Sequence, residues 1–255
     1  MQAGLAELEE IFAAQHAAAS ELDPDVVLRE PRHDLLDSEL FLVGQALGRD
    51  TQRLSGLPYV FPGGPPHRLS KGGAVLDRWL DPLGYTIDPD DDRRQYAYHA
   101  DLHPGFPGRK DRGSGDMRPT PEQVRAGAAW LKREIEIVEP RAIICLGKEP
   151  SLELLERYAG VRFRSLAETT GRRWTARIGG LSVPLLTAYH PSGAFQFPRQ
   201  SEEAWAFVAE QGEAILSRSW APRPARTGLD AAWLSQRTRS SCAASQSCSS
   251  TDPVL

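Results

Sequence analysis

Apolar and polar positions follow two different periods along the chain, and together they predict an α/β protein. Four short apolar runs predict strands at about 40–43, 96–102, 141–147 and 183–188. The run at 141–147 is almost continuously apolar, which is typical of a strand buried on both faces of a parallel sheet. Other segments repeat their apolar residues at helical spacing: 2–19, 74–83, 120–138, 149–158 and 202–216.

The helix that begins near residue 120 has the clearest local signals. Thr120 is a favourable N-cap, Pro121 suits the first helical turn, and Gln123 completes a capping box. Pro140 marks its end.

Strands that alternate with helices predict βαβ units. We therefore expect a three-layer αβα sandwich with a central four-stranded parallel sheet. Ligands in such folds bind at the carboxyl ends of the strands. These ends carry polar or glycine-rich segments: Gly44-Gln45, His99–His103, Gly147-Lys148 and His190-Pro191-Ser192. The pattern predicts a binding site at this edge.

Composition divides the chain into one domain over residues 1–217 and a tail over 218–255. The tail is rich in Ser, Arg and Pro, which predicts disorder. No apolar run approaches the roughly 20 residues needed to span a bilayer, and the N-terminus does not resemble a signal peptide. We expect a monomeric protein of the cytoplasm that does not contact membranes.

Charge and cysteine content add little by themselves. The net charge is −4, which does not indicate nucleic-acid binding, although a local basic cluster can still contact phosphates. Arg109, Lys110, Arg112 and Arg118 form such a cluster. The chain has three cysteines, at positions 145, 242 and 248, and their spacing indicates neither a disulfide framework nor a metal site.

Several motifs, in order and at strand ends, resemble the uracil-DNA glycosylase superfamily, most closely its family-4 branch. They are Gly44-Gln45-Ala46-Leu47-Gly48, Gly56-Leu57-Pro58-Tyr59, Arg118-Pro119-Thr120-Pro121-Glu122, the strand from Pro140 to Gly147, and His190-Pro191-Ser192. The resemblance covers about residues 41–216. It implies an enzyme that flips a base out of DNA and hydrolyses its N-glycosidic bond.

The resemblance also implies roles for individual residues around the base. His190 would donate a hydrogen bond to the oxygen of the departing base, where negative charge develops. Tyr59 would stack on the flipped base. Gly44 and Gly48 would let backbone amides approach the substrate closely, with an ordinary strand-to-loop turn as the alternative, and Ala46 is a further candidate for contact with the base.

Other residues are expected to contact the DNA strand. Ser192 would bind a phosphate or cap a turn, and Phe195 would act as a wedge in the duplex or pack under the last helix. Lys148, Arg109 and Lys110 are further candidates for phosphate contacts, with ordinary surface positions as the alternative.

Two departures from the family concern its iron–sulfur cluster and the acidic residue that positions the attacking water. The family-4 branch holds an iron–sulfur cluster on four cysteines. His103 and Ala128 stand at two of those positions, so we expect no cluster, no other cofactor and no metal. Gln45 replaces the acid that positions water; it can orient water but cannot take its proton. Asp50 is our first candidate for the missing carboxylate, and Asp101 is another.

Two more departures concern the base. His99 stands where the family has an Asn that contacts the Watson–Crick edge of uracil, which puts uracil specificity in doubt. The loop from Val60 to Leu69 is also longer than expected. These features suggest the hypothesis that the substrate is a modified pyrimidine, such as a hypermodified phage base.

Two alternatives stay open at this point. His99, Asp101 and His103 alternate along one strand face, as ligands of a metal-dependent hydrolase would. Gln45 and His99 replace the acidic residue and the Asn of the family, and these replacements would also suit a DNA-binding relative without catalytic activity.

Overall fold

The structure is a computed structural model, and it describes residues 2–29, 35–108 and 117–217. The predicted tail from residue 218 and the candidate phosphate contacts Arg109 and Lys110 lie outside these ranges. The domain boundary at residue 217 stays a prediction.

The strands are β1 (Leu40–Ala46), β2 (Tyr85–Thr86), β3 (Gln95–Tyr96), β4 (Tyr98–His103), β5 (Ala142–Leu146), β6 (Trp174–Ile178) and β7 (Leu181–Ala188). The main sheet has five strands in the order β4-β1-β5-β7-β6. Its first four strands are parallel, which confirms the predicted four-stranded parallel sheet. The short strands β2 and β3 form a separate parallel pair.

The fifth strand of the main sheet is an addition to the predicted fold. Strand β6 pairs antiparallel with β7 at the edge of the sheet. Its side chains alternate, with Ala176 and Ile178 buried and Thr175 and Arg177 exposed. The pattern is that of an edge strand with one face in solvent. The strand was not predicted from the sequence, although Trp174, Ala176 and Ile178 alternate with polar residues along its five positions.

The helices are α1 (Gln2–Ser20), α2 (Gln52–Ser55), α3 (Lys71–Leu80), α4 (Pro121–Val138), α5 (Lys148–Leu154) and α6 (Pro198–Ser217). A π-helical turn, Leu155–Ala159, extends α5. In the described part of the chain, no helix is both long enough and apolar enough to cross a membrane.

Alternate residues of β1 show how the layers form. Phe41 and Val43 pack into a core with residues of α1 and α4, whereas Leu40 and Leu42 pack into a second core with residues of α3 and α6. Successive side chains of a strand point to opposite faces, so the central sheet is covered by helices on both sides. This confirms the predicted αβα sandwich.

The predicted capping box at the start of α4 is present. The hydroxyl of Thr120 accepts a hydrogen bond from the Gln123 backbone, and the Gln123 side chain accepts one from the Thr120 backbone. Further along α4, the buried carboxylate of Glu134 accepts hydrogen bonds of 2.6 Å from both Tyr98 and Gln15. Arg29 lies 3.4 Å from the same carboxylate. This polar network holds the edge strand β4 against α1 and α4.

Candidate active site

A cleft of about 460 Å³ opens at the carboxyl edge of the parallel strands. This is the edge at which the sequence predicted a site. The predicted site residues that line the cleft are Gln45, Ala46, Tyr59, His99, Lys148, His190 and Ser192. Asp101 also lines it.

The imidazole of His190 is held by the turn that follows β7. The backbone amide of Ser192 donates to Nδ1 of His190 at 3.2 Å, and the Ser192 hydroxyl lies 2.8 Å from the same nitrogen. Because Nδ1 accepts, the proton of the neutral ring belongs on Nε2. Burial lowers the pKa of His190 to about 4, so the ring is neutral near pH 7 and presents an Nε2–H donor.

Tyr59 lies directly beside this donor. Its hydroxyl is 2.9 Å from Nε2 of His190, and burial raises its pKa. The ring lies 5.6 Å from the ring of His99 and 5.9 Å from that of His190, between centroids. Tyr59 therefore offers an aromatic surface between the two imidazoles.

The backbone of Tyr59 has an unusual conformation for a residue with a side chain. Its φ of 61° lies in the left-handed region. The amide of Ser70 donates to its carbonyl at 2.8 Å, and a Cβ at Gly73 would lie only 2.8 Å from the Cβ of Tyr59. Packing against the start of α3 thus holds the ring in place.

The end of β4 places two polar side chains against β1. Gly44 pairs with Asp101 in the parallel register, and Leu42 pairs with His99. A Cβ at Gly44 would overlap with Oδ1 of Asp101 and lie 2.9 Å from Nε2 of His99. The glycine is therefore needed because the neighbouring strand's side chains fill the space above it.

His99 and Asp101 are buried, and their ionisation is strongly perturbed. Burial lowers the pKa of His99 to about 3, with smaller contributions from Arg29 and His190. Burial raises the pKa of Asp101 to about 7, opposed by the charge of Arg29 and by a hydrogen bond from Gln52. Gln52 is a buried residue of α2 that the sequence did not single out, because the surrounding loop shows no periodic pattern.

Several polar atoms of this pair have no partner. Within the described residues, both ring nitrogens of His99 and Oδ2 of Asp101 are buried without a hydrogen bond. An unpaired buried polar group typically costs about 1–3 kcal/mol. A ligand that hydrogen-bonds to these atoms would remove that cost, which marks them as candidates for ligand contacts.

The first candidate for the water-activating carboxylate lies elsewhere. The side chain of Asp50 is 54% exposed and accepts a 2.7 Å hydrogen bond from Arg49, which lowers its pKa. Among the described residues that line the cleft, the carboxylates are Asp101 and Glu149. Glu149 forms an ion pair of 3.1 Å with Arg118 at the side of the cleft.

Of the candidate DNA contacts that the structure describes, Lys148 and Ser192 line the cleft, and Phe195 directly precedes the lining residues Gln196 and Phe197. Lys148 is exposed as the first residue of α5. Phe195 is 64% exposed at the end of the 3-10 helix Pro191–Phe195, so it does not form core under α6. Ser192 is exposed and bonded to His190 through its hydroxyl.

The long loop after Tyr59 folds away from the cleft. Val60 and Leu69 form an antiparallel bridge, and His67 lies 2.9 Å from Asp90. Residues 60–69, all within the described ranges, contribute no side chain to the cleft lining. The length of this loop therefore gives no support for a larger base.

The residues present do not fit the metal centres considered above. No three His, Cys, Asp or Glu side chains of the described residues are arranged to share a metal ion, and His103 does not line the cleft. A family-4 iron–sulfur cluster needs four thiolates, whereas the whole chain has three cysteines. Cys145 is buried in the apolar core, where burial raises the pKa of its thiol.

Four parallel strands with a neutral imidazole donor, an aromatic surface and unpaired polar atoms at their carboxyl ends define an α/β protein with a candidate ligand site at that edge of the sheet. The sequence comparisons specify this class further. The family model of the uracil DNA glycosylase superfamily matches residues 31–210, and the chain belongs to that superfamily.

Three curated relatives are each named type-4 uracil-DNA glycosylase. The protein of Archaeoglobus fulgidus is 26% identical over 176 residues, which is 69% of this chain and 76% of the relative. The protein of Saccharolobus solfataricus is 27% identical over 63% of this chain and 64% of its own length. The protein of Pyrobaculum aerophilum is 34% identical over 35% of this chain and 45% of its own. The predicted similarity to the family-4 branch is thereby confirmed.

Proposed function

We propose that the protein is a monofunctional DNA glycosylase that removes a pyrimidine base, uracil or a modified pyrimidine, and leaves an abasic site. The observation that carries the proposal is the neutral Nε2–H donor of His190 beside the ring of Tyr59. Membership of the uracil DNA glycosylase superfamily supports it. Action as a monomer in the cytoplasm, as expected from the sequence, is part of the same proposal.

The geometry suits the departure of a base as an anion. When the bond between C1′ and N1 breaks, its electron pair moves to the base and is shared with O2. The Nε2–H of His190 stabilises that charge, because a fixed donor in a dry site acts on the transition state without reorganisation. In the free protein this donor points to the hydroxyl of Tyr59, so O2 of the base would replace that hydroxyl.

Two further requirements of the reaction are that the flipped base is held in the cleft and that a water molecule attacks C1′ of the sugar. The ring of Tyr59 stacks on the flipped base, a contact worth about 1–3 kcal/mol. A water oxygen bonds to C1′ and releases one proton to solvent. The amide of Gln45, which lines the cleft, orients this water. The exposed position of Asp50 and its ion pair with Arg49 do not favour it for this role.

The surroundings of the cleft favour DNA as the partner. Lys148 and Arg118 lie at its lining and can meet phosphates, and the exposed Phe195 can enter the space left by the flipped base. The cleft of about 460 Å³ falls in the range of sites that hold ligands larger than one pyrimidine ring. That volume supports retaining modified pyrimidines among the candidate substrates.

The test is formation of abasic sites in labelled duplexes that each carry one candidate pyrimidine. We expect alkali-sensitive strand breaks for at least one base. His190→Ala should lower the rate by about 100- to 1000-fold, the usual effect of removing one such donor. Tight DNA binding without an abasic product from any base would instead support a DNA-binding relative without catalytic activity.

A further inference from the structure

The buried polar side chains of His99 and Asp101 form a short polar edge at the floor of the cleft. Nε2 of His99 and Oδ1 of Asp101 are 3.9 Å apart, and both side chains are 3% exposed. Two partners at this separation suit two neighbouring groups on one edge of a pyrimidine ring. Their orphaned hydrogen-bonding capacity indicates that a ligand edge belongs here.

The two side chains differ in what lies next to them. The ring of His99 faces Tyr59, and the charge of His190 contributes to the lowered pKa of His99. Asp101 lies further out: it accepts a hydrogen bond from Gln52 and borders a cavity of about 40 Å³ that Arg29 also lines. Both side chains lie on the edge strand β4, and His99 is the one that interacts electrostatically with His190, so the order across the cleft is His190, His99, Asp101.

The same order can be followed along a pyrimidine. O2, N3 and the substituent on C4 succeed one another on one edge of the ring. If His190 donates to O2, His99 faces N3 and Asp101 faces the C4 substituent. A neutral imidazole can donate one hydrogen bond, whereas the carboxylate of Asp101, once ionised above its pKa of about 7, can only accept.

These donors and acceptors match a base with an amino group on C4. Such a base has an acceptor at N3, for His99, and N–H donors at C4, for Asp101; carboxylates characteristically accept from the N4 amino group of cytosine. A 4-oxo base, such as uracil, would place the lone pairs of O4 against the carboxylate. We propose that the floor of the cleft selects 4-aminopyrimidines, the cytosine class, over 4-oxopyrimidines.

This inference rests on the proposed glycosylase activity, and the experiment separates the two. Duplexes carry single bases in matched pairs that differ only at C4: cytosine and uracil, 5-methylcytosine and thymine, 5-hydroxymethylcytosine and 5-hydroxymethyluracil. The wild-type protein is incubated with each duplex, and abasic sites are quantified after alkali. We expect faster release of the 4-amino member in at least one pair, and of the 4-oxo member in none.

The variant Asp101→Asn adds a second readout. Its amide can donate to O4, so the ratio of 4-amino to 4-oxo release should fall by about tenfold or more. Asp90→Asn is the matched control, because Asp90 is a surface carboxylate bonded to His67, and it should leave the ratio unchanged. If Asp101→Asn does not fold, the release rates of the 4-amino and 4-oxo members of each pair by the wild-type protein test the proposed selectivity.

Each remaining outcome has one meaning. Faster release of the 4-oxo members by the wild type overturns the inference and leaves the proposed function intact. Equal loss of activity on all bases in folded Asp101→Asn also overturns it, because Asp101 would then act on the reaction rather than on the choice of base. No abasic site from any base overturns the proposed function itself.

Discussion

The hydroxyl of Tyr59 lies 2.9 Å from Nε2 of His190, so the ring expected to hold the base also occupies the hydrogen bond that the base would take. Stacking and the hydroxyl can be separated by substitution. We expect Tyr59→Phe to retain activity within a few-fold, because the aromatic surface remains and the donor of His190 is freed. Tyr59→Ala should lose about 1–3 kcal/mol, or roughly 5- to 150-fold, in kcat/KM.

Single-turnover rates and substrate affinity would check this prediction. The effect of Tyr59→Ala should appear mainly in binding of the flipped base, since the donor on His190 remains. A loss in Tyr59→Phe as large as that in Tyr59→Ala would contradict a stacking role and assign the function to the hydroxyl.

The fit of β1 against β4 predicts the effect of one added methyl group. In Gly44→Ala the new Cβ would overlap with Oδ1 of Asp101 and crowd Nε2 of His99. We expect a loss of about 1–3 kcal/mol in the free energy of unfolding, typical of overpacking, together with a severe loss of base release. Gly64→Ala is the control, because no atom lies within 4 Å of a Cβ at that position. Thermal unfolding measures the loss of stability, and the abasic-site assay measures the loss of base release. A Gly44→Ala variant with wild-type activity would show that Asp101 and His99 need not keep their positions.

The raised pKa of Asp101 predicts how base release depends on pH. Its pKa is raised to about 7 in the folded protein, mainly because burial opposes ionisation. The charge of Arg29 and the hydrogen bond from Gln52 lower the pKa, and the charge of Glu134 raises it further. The carboxylate that accepts from a 4-amino group is thus formed as the pH rises through about 7. His190 and His99, with pKa values of about 4 and 3, stay neutral over that interval. We expect kcat/KM on a 4-amino base to rise between pH 6 and 8 in the wild type and to be flat in Asp101→Asn.

The same shift affects stability with a definite sign. The folded pKa of Asp101 exceeds the ordinary value of 3.8, so the folded state binds its proton more tightly than the unfolded state does. The stabilisation from this group is present below about pH 4 and is lost as the pH rises through 7. Denaturant unfolding of the wild type and of Asp101→Asn should therefore diverge progressively in favour of the variant from pH 4 to pH 7. Parallel curves over that range would contradict the raised pKa.

The exposed ring of Phe195 predicts a difference between DNA forms. If the ring enters the duplex as a wedge, Phe195→Ala should slow base release from duplex DNA several-fold or more and change release from single-stranded DNA little. Leu22→Ala, which removes a similarly exposed apolar side chain at 57% exposure, should affect neither. Equal losses on both DNA forms would indicate that Phe195 does not act on base extrusion.

The buried carboxylate of Glu134 predicts a large effect on stability. Glu134→Ala leaves the hydroxyl of Tyr98 and the charge of Arg29 without their partner, a loss of about 3–5 kcal/mol in the free energy of unfolding. Glu122→Ala is the control on the same helix, since its side chain is 73% exposed and its ion pair with Arg125 contributes about 0–1 kcal/mol. Chemical unfolding measures both. A small loss in Glu134→Ala would show that the network does not hold β4 in place.

Features that depend on near neighbours were predictable from the sequence alone. The capping box of Thr120 and Gln123 joins residues three positions apart. The four parallel strands and most helices follow from the spacing of apolar residues, because burial of one face requires that spacing. The ends of those strands must meet at one edge, so the position of the cleft and the presence of His190 and Tyr59 beside it were also predictable.

Tertiary structure decided the features that depend on distant residues. Gly44 and Asp101 become neighbours only through the register of β1 and β4, and Gln15 meets Glu134 across 119 positions of the chain. The same packing leaves Asp50 in solvent, where the hydrogen bond from its neighbour Arg49 lowers its pKa, and buries Asp101, where desolvation raises the pKa to about 7. The sequence alone determined the parallel sheet and the edge at which the cleft lies, whereas burial and strand register decided which carboxylate lines that cleft.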